Sequence, residues 1–350
     1  MSRHKRILVV RTDRIGDVVL ATPLIRALRE TFPDAYLAAL VNPYARDVLL
    51  GNPHINEILT DDPKGRDGGR RGFWRQVRAL RSYKFDTALL LLPTERLAWM
   101  LFASGIRTRV SVGLKLYEVL TFMKTVSRHK YIPLRHEADY CLDLGRAIGV
   151  REAQLVTQIT LTEEERQKGR EMLRSRGLPD SNKDGGVKTV IIHPGSAGSS
   201  PNWKVEEYVE LARFCLEDER VWIVITGSPN ETQFSGAFAV LQSQQVIDLI
   251  GQLSIRELCT VIAAGSLVIS SSTGPMHLAA GLGVPTVSMF CRMSACSVDL
   301  WGPLGNSSEI VRPSTTYCAT QCPGDPHICQ FVGGIDPEAV YKSIVRALWK

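Results

Sequence analysis

Residues 7–20 read ILVVRTDRIGDVVL. The four apolar residues Ile7–Val10 are too few for a helix and uniform enough to be covered on both faces, as in a parallel sheet. The run opens into a polar turn holding Arg11, Asp13, Arg14, Gly16 and Asp17, and an apolar helical pattern follows at once. Strand, tight turn, helix is the first half of a parallel α/β unit. In an open parallel sheet, ligands bind beyond the carboxyl ends of the strands, which is where these charged residues fall. Asp17 has two readings. It is a helix cap, or it is a carboxylate held over a crevice and able to take a proton from a hydroxyl. Thr22-Pro23 is a second good helix start, and if the helix begins there Asp17 is not needed as its cap.

The same alternation continues along the chain. YLAALV (36–41), TALLLL (87–92) and RVSVG (109–113) read as strands with helical patterns between them. The rhythm restarts with TVIIHPG (189–195), the helix 205–218, RVWIVITG (220–227), a helix opened by Ser254 and closed by Gly265, LVIS (267–270) and PTVSMF (285–290). Residues 174–189, RSRGLPDSNKDGGVKT, are poor in apolar residues and read as a linker. The expected architecture is α/β, with two doubly wound domains: 1–173, a linker at 174–188, and 189–335. A helix over 336–350, started by Asp336-Pro337, is expected to pack back on the N-terminal domain.

At 350 residues the chain is long enough for two cores, and 44% hydrophobic with 22% charged residues excludes wholesale disorder. The start, MSRHKRILVV, reads as a buried strand and not a signal peptide. The most apolar window, residues 87–106, is broken by Pro93, Glu95 and Arg96 and falls short of the roughly 20 residues of a membrane span. It reads as strand, turn, helix, with the WMLF patch (99–102) mainly core. Residues 1–180 carry a net +10 and residues 181–350 a net −4. The basic excess is densest over 64–84, where Arg70, Arg71, Arg75 and Arg78 lie, and points to an anionic partner for the N-terminal half. No nucleic-acid module accompanies it. Cys141, Cys215 and Cys259 sit in helical apolar patterns and are expected in the core.

Three further strand-end turns carry candidate chemistry. HPGSAGSSPNWK (193–204) is rich in Gly and Ser and suits an anion. TGSPNET (226–232) holds Glu231, either a first-turn cap or an acceptor of sugar hydroxyls. In SSSTGPMHLAAGLGVPTVSMF (270–290), Thr273 and Gly274 stand where a helix begins and its free N–H groups favour a phosphate, with His277 one turn in. The first strand leads into RTDRIGD rather than G-x-G-x-x-G, which disfavours a dehydrogenase.

In that order and spacing, VVRTDRIGDVVLATPLIRAL, HPGSAGSSPNW and STGPMHLAAGLGVPTVSMF resemble the bacterial lipopolysaccharide heptosyltransferases, glycosyltransferase family 9. The resemblance spans nearly the whole chain. It implies a GT-B fold of two facing Rossmann-like domains with an interdomain cleft. It implies inverting transfer of a heptose from ADP-heptose to the lipopolysaccharide inner core, with no metal or other cofactor required. Asp17 matches the family's catalytic base, with Asp13 as the other carboxylate of the turn. Ser196, Thr273 and Gly274 would hold the diphosphate, Glu231 the ribose, and Leu253 would pack near the adenine. Two positions depart from the family pattern: Pro201 stands where a basic residue is common, with Lys204 as its substitute, and Ser272 where an Asp is common. These bear on the donor sugar. Arg11 and Arg14 are expected to position acceptor or donor phosphates, with Asp13 beside them at the acceptor site, and Arg70, Arg71, Arg75 and Arg78 to help hold a phosphorylated glycolipid acceptor or the inner-leaflet surface. The expected location is cytoplasmic, peripheral on the inner membrane.

CATQCPGDPHIC (318–329) adds Cys318, Cys322, His327 and Cys329, whose donors suit a tetrahedral zinc or iron site although their spacing is not a common one. A metal there would favour a relative that glycosylates an autotransporter protein. A non-catalytic GT-B-like scaffold that binds nucleotide or glycan is the other alternative.

Overall fold

The computed structural model describes residues 4–179, 186–325 and 328–349. They form two compact units, Met1–Thr160 and Leu161–Lys350. The first holds β1 (Arg6–Arg11), β2 (Tyr36–Val41), β3 (Glu57–Thr60), β4 (Thr87–Leu90), β5 (Thr108–Val112) and β6 (Lys124–Val126). Their order is β3-β2-β1-β4-β5-β6, and every pairing is parallel. The second holds β7 (Lys188–His193), β8 (Val221–Ile225), β9 (Val246–Asp248), β10 (Leu267–Ser271), β11 (Thr286–Met289) and β12 (Ser308–Val311). Their order is β12-β11-β10-β7-β8-β9, again all parallel. Counted from its own first strand, each sheet therefore runs 3-2-1-4-5-6, the doubly wound dinucleotide-fold order. In each, the strand order reverses between the first and fourth strands: β1 and β4, then β7 and β10. In each unit the loops leaving those two strands border that sheet's own crevice, where this topology binds ligands.

The interior strands are apolar because helices cover both faces. Ile7, Leu8, Val9 and Val10 are all buried, as are Val190, Ile191 and Ile192. One face of the first sheet packs Leu8, Val10, Leu40 and Leu90 against Val77, Leu80, Met100 and Leu101. The WMLF patch is thus core at Met100 and Leu101, but Phe102 is exposed because it lies on the opposite face of its helix, Glu95–Ala103. Cys141, Cys215 and Cys259 are buried, as their patterns require.

The units divide at Thr160/Leu161, earlier than the composition of the chain indicates. The helix Glu163–Ser175 packs on the helix Ile255–Ala264 of the second unit. Gly169 makes that contact close: a Cβ there would stand 2.2 Å from the Thr260 carbonyl oxygen. Arg256 adds a two-pronged bond to Glu165, at 2.7 and 2.8 Å, which holds that carboxyl down at about 2. The expected linker at 174–188 consequently falls inside the second unit, with 180–185 outside the described residues. The C-terminal helix Pro337–Leu348 starts at Asp336 as expected; within the second unit Val340 and Ile344 join the core and the helix contacts Val205–Leu216.

Candidate active site

β1 ends at Arg11, and two abutting helices follow, Ile15–Leu20 and Thr22–Thr31. Asp17 lies in the first turn of the first helix, yet its carboxylate caps neither. The N-cap is Arg14, with no side-chain cap bond, and Asp17 turns instead to Arg11. Arg11 is 4% exposed and donates to three carboxylates: Nε to Asp13 Oδ1 at 2.8 Å, Nη2 to Asp17 Oδ1 at 2.5 Å, and Nη1 to Glu137 Oε1 at 3.1 Å. Arg128 binds the two oxygens of Glu137 at 2.7 and 2.9 Å. Burial alone would lower the Arg11 guanidinium, but Cys141, Asp13, Asp17 and Glu137 hold it well above its ordinary value. Burial pushes the Asp13 carboxyl up to about 6, although Arg11 opposes the rise. The cluster joins three carboxylates to two guanidinium groups. Its arrangement leaves Asp17 Oδ2 without a donor among the described residues. Arg14 is exposed beside it. Arg11, expected to meet substrate phosphate, is occupied within the cluster and positions the carboxylates.

In the second unit β7 and β10 lie side by side, with Ser270 opposite His193, so their two loops are neighbours. Asn202 ties them together. It donates to the Pro194 carbonyl at 2.6 Å and accepts from Ser271 Oγ at 2.5 Å and Tyr208 OH at 2.8 Å. Its own N–H bonds the Cys329 carbonyl, and Trp203 Nε1 bonds that of Ile335, which fixes the loop from behind. Thr273 is the N-cap of the helix Gly274–Leu282 but makes no side-chain cap bond. Its hydroxyl, like that of Ser200, is buried without a hydrogen-bond partner among the described residues. Two buried hydroxyls in the loops that follow two adjacent strands, one of them at a helix N-terminus, are the donors an anion would use. Ser196 is half-buried, Ser272 and Gly274 likewise, Lys204 is exposed at the start of the next helix, and His277 is buried.

Glu231 is buried and accepts from Ser228 N and Oγ at 2.7 and 2.8 Å, so Oε2 serves as a cap. Its other oxygen lies against bare backbone: a Cβ on Gly195 would stand 1.8 Å from Oε1. His193 is buried beside it, with Nδ1 3.0 Å from Thr226 Oγ1, and burial pushes its imidazole down to about 4 against the pull of Glu231. Leu253 is half-buried just before the helix capped by Ser254.

Arg70, Arg71, Arg75 and Arg78 are exposed on the helix Gly69–Ser82. Arg75 is partly withdrawn, because it binds the buried Asp67 at 2.6 Å. Among the cysteines, Cys318, Cys322 and Cys329 have Cys291 as an electrostatic neighbour or share one with it. Burial pushes Cys291, Cys318 and Cys329 up, which favours neutral thiols. His327 lies outside the described residues. Among those described, no group of three or more His, Cys, Asp or Glu stands ready to hold a metal ion.

Glu137, His193 and Asn202 are the residues that sequence reasoning missed. Glu137 lies 126 positions from Arg11 and its partnership has no local signature; the role of Asn202 rests on its bonds to Pro194, Tyr208 and Ser271, the last 69 positions away.

Residues 73–324 match the model of glycosyltransferase family 9 (heptosyltransferase). Lipopolysaccharide heptosyltransferase 2 of Escherichia coli strain K12 is 25% identical over 325 residues, 89% of each chain. The solved glycosyl transferase family 9 protein of Veillonella parvula DSM 2008 superposes with a TM-score of 0.83 at 22% identity, over 99% of this chain and 97% of that one. The E. coli ADP-heptose lps heptosyltransferase II structure gives 0.77 at 21% identity, over 98% of both. The chain belongs to glycosyltransferase family 9. It is a glycosyltransferase of GT-B fold, and its two sheets are the Rossmann-like units of that fold.

Proposed function

We propose that the protein is an inverting heptosyltransferase that moves a heptose from ADP-heptose to a phosphorylated glycolipid of the lipopolysaccharide inner core. The observation that carries this is the Arg11–Asp17 pair at the switch point of the first sheet, where a carboxylate is oriented by a buried guanidinium and does not serve as a cap. The names of the E. coli relative and of the similar solved structure support the choice of sugar and acceptor.

The acceptor hydroxyl attacks the anomeric carbon while Asp17 takes its proton. The sugar–phosphate bond breaks and ADP leaves with the electron pair. Thr273, Ser196 and the N–H groups opening the helix Gly274–Leu282 receive the charge that develops on the diphosphate. Lys204, Ser272, His277, Glu231 and Leu253 complete the donor site in this reading. Arg14, Arg70, Arg71 and Arg78 meet the acceptor's phosphates, with Arg75 in support.

The test is transfer from ADP-heptose to a heptose-free inner-core glycolipid, followed by ADP release and by the anomeric configuration of the product. Inverted product is expected. Release of ADP with retention, or binding of ADP-heptose with no transfer to any glycolipid offered, overturns the reading. Titration calorimetry in which UDP binds more tightly than ADP would reject the nucleotide.

A further inference from the structure

We propose that an apolar ridge on the first unit, built around the helix Leu116–Leu120, docks on an anionic lipid bilayer. Leu114, Leu116 and Phe122 are 79%, 74% and 76% exposed, and Val119, Leu120 and Phe102 are exposed with them. Phe102 and Phe122 sit with ring centroids 6.2 Å apart, so two separate segments share the ridge. A contiguous exposed apolar surface of this kind marks an interaction site.

The ridge is held rigidly. Glu118, wholly buried beneath it, accepts from Ser111 Oγ at 2.5 Å and from Lys115 N at 2.7 Å. Buried Arg109 donates to the Thr121 carbonyl from Nε at 3.1 Å and Nη2 at 2.6 Å, with its guanidinium 5.3 Å from the centre of the Phe102 ring. Two buried ionic groups are thus spent on keeping hydrophobic side chains in water.

Charge selects the occupant. Residues 96–135 hold eight Lys and Arg and one acidic residue, Glu118, which is buried. Arg107, Lys115 and Lys124 are exposed around the ridge. The neighbouring helix Gly69–Ser82, joined to it through Arg81 and the Ala103 carbonyl, adds exposed Trp74, Arg70, Arg71 and Arg78. Apolar side chains with a basic, aromatic rim match a membrane interface of negative surface potential, where the apolar part enters the acyl boundary and the cations stay among the headgroups. Among the described residues no helix is long and apolar enough to cross a membrane, so the attachment is superficial. The ridge begins two residues beyond the end of β5, next in the sheet to β4 and β1. It therefore stands at the same edge as Asp17, where the sugar of a lipid-borne acceptor would arrive.

The purpose of this surface rests on the lipid acceptor proposed above, but its test contains neither donor nor acceptor. Full-length protein is floated with vesicles of phosphatidylethanolamine and phosphatidylglycerol, and separately with phosphatidylcholine vesicles. Binding to the anionic vesicles is expected. Leu116→Glu with Phe122→Glu should reduce it at least about tenfold at unchanged melting temperature. The milder Leu116→Ser should reduce it in the same direction. Failure of the wild type to float, equal flotation of these variants, or a dimer in sedimentation velocity that Leu116→Glu dissolves would each overturn the proposal. The last would assign the ridge to a second copy of the chain.

Discussion

Arg11 Nη2 donates to Asp17 Oδ1 across 2.5 Å from a nearly inaccessible position at the end of β1. The bond fixes the carboxylate's orientation before any substrate arrives. Asp13 receives Nε of the same guanidinium, yet burial raises it to about 6. The two aspartates of one turn thus have different surroundings, and one experiment separates them. Asp17→Asn should lower turnover by about 100- to 10,000-fold, the usual loss for a general base, while ADP affinity and melting temperature stay near wild type. Asp13→Asn should be milder. Steady-state kinetics showing most activity retained in Asp17→Asn would remove it as the base.

Arg11→Met should act on stability first. It leaves Asp13, Asp17 and Glu137 without their shared cation, and breaking a buried pair of this kind costs about 3–5 kcal/mol. A urea midpoint close to wild type would show that the cluster does not depend on this guanidinium.

Thr273→Val keeps the shape and removes the unpartnered hydroxyl. Folding loses no hydrogen bond, so the melting temperature without nucleotide should be unchanged or higher. ADP affinity should fall about 10- to 100-fold if the hydroxyl meets a charged diphosphate oxygen. Calorimetry giving equal affinities would take Thr273 out of the donor site.

His193 predicts an acid weakness. Its folded value is about 4 against an ordinary 6.5, so on acidification the unfolded chain takes up the proton first. The stability that this neutral histidine confers is complete above about pH 7 and is lost as pH falls from about 6.5 toward 4. Between pH 7 and pH 5 the loss should be about 2 kcal/mol. His193→Asn should lack that slope in paired denaturation curves. Parallel slopes for the two proteins would mean that His193 titrates normally.

The interior strands could be read from their apolar runs, but β3, β6, β9 and β12 could not. These are the four sheet edges, three or four residues each, with one strand neighbour and a partly solvated face. Such strands carry no continuous hydrophobic run, and their brevity protects against pairing with other chains. The switch-point turns were legible because strand, turn and helix are contiguous in the chain. What joins them was not: Arg11 to Glu137, Glu165 to Arg256, and Cys291 to the later cysteines are all long-range meetings. The division at Thr160/Leu161 has the same kind of cause. Glu165 and Arg256 are 91 positions apart, and nothing local marks the helix at 163–175 as belonging to the second unit.

The contact of Glu231 with the bare backbone of Gly195 sets how this loop can vary over generations. Every missense change at a glycine codon adds a Cβ, and here that atom would drive Glu231 away from Ser228 and alter the surroundings of His193. Gly198, three positions on, is glycine for a different reason: its φ is +67° with open space around it. Asn or Asp can visit that conformation, at a cost of about 1 kcal/mol. A saturation library should therefore act at 195 through the displaced Glu231, and admit little besides Asn or Asp at 198.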